Sequence, residues 1–148
     1  MYDLAQHFSA HDCMKIDGGI PVVIPHTVRH LSVSTDHLPQ LKRKCRLGRL
    51  RTLLVLKSSS LSSSYFPIKL LAEFKNLRVL DLTQSGIVEL PETISQLVHL
   101  HYLALCCITN KLPKCIYRVR VRYLELQDMP VLLFHDNHPG GIGKICYT

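Results

Sequence analysis

From Asn76 to Cys107 the chain reads "NLRVLDLTQSGIVELPETISQLVHLHYLALCC", and this segment repeats its own pattern. Within it Leu77-x-x-Leu80-x-Leu82 returns as Leu100-x-x-Leu103-x-Leu105, a shift of 23 residues. The apolar positions between them, Ile87, Leu90, Ile94 and Leu97, have counterparts at Ile108, Leu112, Ile116 and Val119, and Leu90-Pro91 returns as Leu112-Pro113. Apolar residues alternating over so short a run put their side chains on one face of a strand and the residues between them on the other. The repeat therefore predicts a strand, a return along irregular chain, and a second strand beside the first.

The same frame extends both ways, as Val121-x-x-Leu124-x-Leu126 ahead and as Leu50-x-x-Leu53-x-Val55 and Val28-x-x-Leu31-x-Val33 behind. Its opening residues lie 22, 27, 23 and 21 apart, inside the period of roughly 20–29 residues that marks leucine-rich repeats. The longest interval holds "KSSSLSSSYF", residues 57–66, whose serines favour turns and leave little to bury. One such unit cannot bury its apolar face alone, so several must stack. The expected fold is an α/β leucine-rich-repeat solenoid over residues 21–148. About five short parallel strands form its concave face, and the convex side is irregular or helical.

Residues that alternate with the buried frame would line the concave face: His30, Ser32, Thr52, Leu54, Val79, Asp81, Thr83, Tyr102, Ala104, Tyr123, Glu125 and Gln127. Tyrosine, histidine and single charges in one surface suit protein recognition. The last eleven residues, "HPGGIGKICYT", invite a different reading, as a phosphate loop. That motif needs a hydroxyl after its lysine, where this chain has Ile145, so nucleotide binding is not expected there. Aligned on the repeat instead, Pro139 matches Pro91 and Pro113, Ile142 matches Ile94 and Ile116, and Ile145 matches Leu97 and Val119. The stretch then reads as the convex half of a further unit that stops before its strand.

Composition narrows the function classes. A chain of 148 residues with 47% hydrophobic content has the material for one core. No apolar run is long enough to span a membrane, and the first twelve residues carry Asp3, His7, His11 and Asp12 instead of a signal core. Cysteines 13, 45, 106, 107, 115 and 146 show no C-x-x-C spacing, which fits a reduced, cytoplasmic setting. The formal charge of +7 gathers in "LKRKCRLGRLR", where Lys42, Arg43, Lys44, Arg46, Arg49 and Arg51 meet no acid. Such a cluster is either a nucleic-acid or anionic-membrane footprint or a solvated loop; it has no aromatic residue for base stacking, which favours the loop. His7 and His11 share a helical face and could meet a metal with Cys13, but structural sites bring two tight ligand pairs, and no metal or cofactor is expected. No nucleophile, base and acid stand at a recognisable spacing, so neither enzymatic activity nor a small-molecule substrate is expected.

"IPHTVRHLSV", "LRTLLVL", "NLRVLDLTQSGIVELPETISQLVHLHYLAL" and "PGGIGK" resemble, in this order, the leucine-rich-repeat part of plant coiled-coil nucleotide-binding disease-resistance proteins, particularly the cereal type. "MYDLAQHFSAHDCMKI" is similar to the helix that ends the nucleotide-binding module of that family, so the resemblance makes residues 1–20 a helical tail. It implies a non-enzymatic recognition module of innate immunity, whose partners are a nucleotide-binding module of a related receptor or a pathogen effector. The family's coiled coil and Walker motifs have no counterpart here, so the resemblance covers a fragment lacking the nucleotide switch. A basic nucleic-acid or membrane-surface binder, and a truncated product without a function of its own, are the alternatives.

Overall fold

Each of the five frame segments forms a strand. The computed structural model describes residues 11–16, 23–38, 41, 47–57, 68–87, 89–106, 114–128 and 144–147. Among them seven strands make one sheet: β1 (Cys13–Ile16), β2 (His30–Ser34), β3 (Thr52–Leu56), β4 (Val79–Asp81), β5 (Tyr102–Cys106), β6 (Tyr123–Gln127) and β7 (Lys144–Tyr147). They lie side by side in chain order, and every pairing is parallel. Parallel neighbours cannot be joined by a tight hairpin, so the chain must cross back between them. The crossings carry short 3-10 segments, at Thr35–His37, Leu47–Arg49, Ile68–Glu73, Glu92–Gln96 and Lys114–Arg118.

The register turns the sequence frame into columns. Leu31, Leu53, Leu80, Leu103 and Leu124 are successive partners across β2 to β6, and all are buried. Two residues on, Val33 pairs with Val55 and Leu105 with Leu126, while Leu82 follows β4; these too are buried. The frame's opening residues, Val28, Leu50, Leu77, Leu100 and Val121, form a third buried set. The crossings cover these columns. Leu71 and Phe74, Ile94 and Leu97, and Ile116 and Val119 belong to the same buried cluster as the strand leucines. Their backbone repeats as well: Phe74 N–H donates to the Leu71 carbonyl (3.1 Å), Leu97 to Ile94 (3.1 Å) and Val119 to Ile116 (3.2 Å). Pro91, with φ of −74°, leads into the Glu92–Gln96 segment, where a ring-locked φ and a missing N–H cost nothing.

Departure from β4 is set by polar side chains. Thr83 donates its N–H (2.9 Å) and its hydroxyl (2.7 Å) to Asp81 Oδ1. The buried Ser85 hydroxyl donates to the Leu82 carbonyl (2.6 Å) and accepts from the Ile87 N–H (3.3 Å). Gly86 follows with φ of 68°, a left-handed conformation that glycine adopts without steric cost.

Three expectations from sequence change. Cys13–Ile16 lies within the tail expected to be helical, yet it is a strand, with Met14 beside Leu31 and Ile16 beside Val33. The sheet therefore begins before residue 21, while residues 1–10 lie outside the described residues. Ile145 does not match Leu97 and Val119: it pairs with Leu124 inside β7, so Lys144–Tyr147 is a strand and not the convex half of a unit. Counting both ends, seven strands replace the expected five or so. The alternation explains both cases, since Met14-x-Ile16 and Ile145-x-Tyr147 keep the apolar spacing with residues other than leucine.

Candidate functional site

The face of the sheet turned away from the crossings carries the residues that alternate with the leucine columns. Register places His30, Thr52, Val79, Tyr102 and Tyr123 in one row. Ser32, Leu54, Asp81, Ala104 and Glu125 form the next row, two residues further along the strands. Rows of this kind stand about 4.8 Å apart from strand to strand, so each is a continuous surface.

Over β1 to β3 the face sinks into a depression of about 300 Å³, lined by Cys13, Lys15, His30, Ser32, Thr52 and Leu54 among others. His30 Nδ1 and the Thr52 hydroxyl are hydrogen-bonded across the strands at 2.9 Å. Leu54 is 36% exposed, an apolar side chain open to solvent on this face. Cys13 and Lys15 belong to this surface, outside the residues expected from sequence to line it, because resemblance puts residues 1–20 in a helical tail. The signal was present in the alternation of Met14 and Ile16.

Over β5 and β6 the face is aromatic and acidic. The Tyr102 hydroxyl donates to Glu125 Oε2, and Gln127 Nε2 donates to Glu125 Oε1 at 2.9 Å. Both bonds favour the carboxylate, so the Glu125 pKa is lowered, first by Tyr102 and then by Gln127, against a smaller opposing effect of burial. Tyr123, 52% exposed, stands beside this triad.

Two residues expected to line the face do something else. Ala104 is 1% exposed, flanked in register by Asp81 and Glu125, so its methyl group forms the floor between longer neighbours and offers no contact surface. Asp81 spends one carboxylate oxygen on Thr83, and both residues serve first to end β4. Val79 and Thr83 are half-buried.

Of the basic stretch, Lys42, Arg43, Lys44 and Arg46 lie outside the described residues, as does His7. Arg49 and Arg51 are exposed. Among the described residues no three His, Cys, Asp or Glu side chains are placed to hold a metal. Cys13 sits on a strand. Among the described residues no helix is long and apolar enough to cross a membrane. No protein-family model matches the chain, and neither does any curated protein.

Proposed function

We propose that the chain is a non-enzymatic protein-recognition module, and that the open face of the sheet is its binding surface. The observation that carries this is the β5–β6 patch, where Tyr102, Glu125 and Gln127 hold one another in place beside the exposed Tyr123. A hydrogen-bonded patch on paired strands has little rotamer freedom left to lose on binding, and tyrosine offers a large contact area with a polar tip. On this proposal the parallel strands are stacked units of a leucine-rich-repeat solenoid, with the open face concave. The columns of leucine at intervals of 21 to 27 residues support that. The resemblance to plant nucleotide-binding disease-resistance proteins suggests innate immunity, in the cytoplasm. It also suggests the partner, a nucleotide-binding module of a related receptor or a pathogen effector.

The test is a co-precipitation with the nucleotide-binding module of a related receptor, comparing the parent chain, Tyr123→Ala with Gln127→Ala, and Lys69→Ala. The tyrosine and glutamine changes preserve net charge, and Lys69 lies on the crossing between β3 and β4, away from the open face. Loss of binding in the first variant and retention in the second is the expected result. Equal binding by all three would remove the open face as the recognition surface.

A further inference from the structure

The ladder that fixes the strands also stacks the residue preceding each one. Arg29 and His30 donate their backbone N–H groups to the Asp12 carbonyl (2.8 and 2.9 Å), and Arg51 and Thr52 donate to the Arg29 carbonyl (2.7 and 3.1 Å). Arg78 and Val79 then donate to Arg51 (2.8 and 3.0 Å), His101 and Tyr102 to Arg78 (2.8 and 3.0 Å), and Arg122 and Tyr123 to His101 (2.8 and 3.0 Å). Arg29, Arg51, Arg78, His101 and Arg122 thus occupy equivalent places along the edge where the strands begin, about 4.8 Å apart along the backbone. Arg49, Asn76, His99 and Arg120 repeat two residues earlier.

Arg29, Arg51 and Arg78, with His26, Arg49 and His99, border a cleft of about 500 Å³ on this edge. Every residue lining it is polar. Four are arginines, and the one acid among them is Asp12, whose Oδ1 stands 4.0 Å from Arg29 Nε. The backbone ladder brings these like charges together and holds them there.

We propose that this cleft binds a compact anion bearing several phosphate groups. Guanidinium forks match pairs of phosphate oxygens, and several forks side by side suit an anion whose charges are closely spaced. The cleft's volume falls in the range of about 300–1,000 Å³ that small-molecule sites occupy. An acidic peptide docked as a helix or strand takes part of its affinity from apolar anchors, and this lining provides none. The site is separate from the open face and stands whether or not that face binds protein.

Calorimetric titration of tripolyphosphate into the full chain, at a salt concentration of about 0.15 M where the screening length is about 8 Å, tests this. Saturable one-to-one binding is expected, weakened about tenfold or more in Arg51→Gln with Arg78→Gln. It should stay unchanged in Arg118→Gln, whose side chain is exposed on the crossing after β5. Circular dichroism of each variant checks that the fold is intact. Retained affinity in the double variant would overturn the assignment, and so would equal binding of citrate at matched ionic strength. Displacement of tripolyphosphate by a short DNA duplex at far lower concentration would also overturn it, in favour of an extended polyanion surface.

Discussion

Leu103 has Leu80 and Leu124 as its register neighbours and no exposure to solvent, so truncating it leaves a void that flanking strands can only partly close. Leu103→Ala is expected to lower stability by about 2–5 kcal/mol, read from urea melts. The neighbouring Ala104 shows what sequence parity does and does not tell. Alternation puts it on the open face, but exposure depends on the lengths of the residues beside it, and Asp81 and Glu125 overshadow a methyl group. Asp81 was legible as a surface position, yet its bond to Thr83 depends on the backbone turning after β4, which leucine spacing does not encode. Glu125 carries a pH prediction. Its folded-state pKa is lowered, so its contribution is fully present above the unfolded carboxylate value of about 4.3 and is lost as pH falls through the folded value. Tyr102→Phe removes the largest cause of the shift. The variant should therefore show a higher Glu125 pKa by NMR titration and a shallower loss of stability below about pH 4.3.

At the scale of elements, β2 to β6 were readable because each repeats the leucine frame, whereas β1 and β7 keep only its spacing. At the far end Ile142-x-x-Ile145-x-Tyr147 opens 21 residues after Val121, which continues the frame, but Pro139, aligned with Pro91 and Pro113, matches the earlier crossings more visibly. At the near end His11 stands where the frame would have an apolar opener, and resemblance to a helix outweighed two residues of alternation. The pairing of β7 with β6 has its own consequence. β7 is a terminal strand of 4 residues, and deleting residues 144–148 would make β6, of 5 residues, the terminal strand, a longer row of open N–H and C=O groups and a better template for pairing between chains. The shortened chain is expected to associate with rising concentration in sedimentation-velocity runs, where the full chain does so less. Between β4 and its crossing, Gly86→Ala meets no steric neighbour, so its cost is conformational alone, about 1–2 kcal/mol for a left-handed backbone. A cost near zero in thermal melts would mean that the turn relaxes to another conformation.

For the whole molecule, the sheet presents two surfaces of opposite character that share one scaffold. The residue before each of β2 to β6, an arginine or His101, stacks along the edge, while the first residue of each of these strands starts the open face, so Arg122 and Tyr123 are chain neighbours serving different surfaces. Coupling between the surfaces would have to pass through a single buried cluster that includes the leucine columns and crossings alike, and close-packed cores of this kind resist small displacements. Arg78 and Tyr123 are two strands apart, about 10 Å along the sheet, which is the distance at which mutational effects become additive. Tyr123→Ala with Gln127→Ala leaves net charge unaltered, so it should leave tripolyphosphate affinity within about twofold of the parent, a difference under 0.5 kcal/mol. Conversely Arg51→Gln with Arg78→Gln should leave protein co-precipitation intact, and the combined variant should lose both activities by the amounts of its two halves. A combined loss well beyond that sum would show that edge and face act as one site, since independent surfaces on a rigid sheet have no means of producing it.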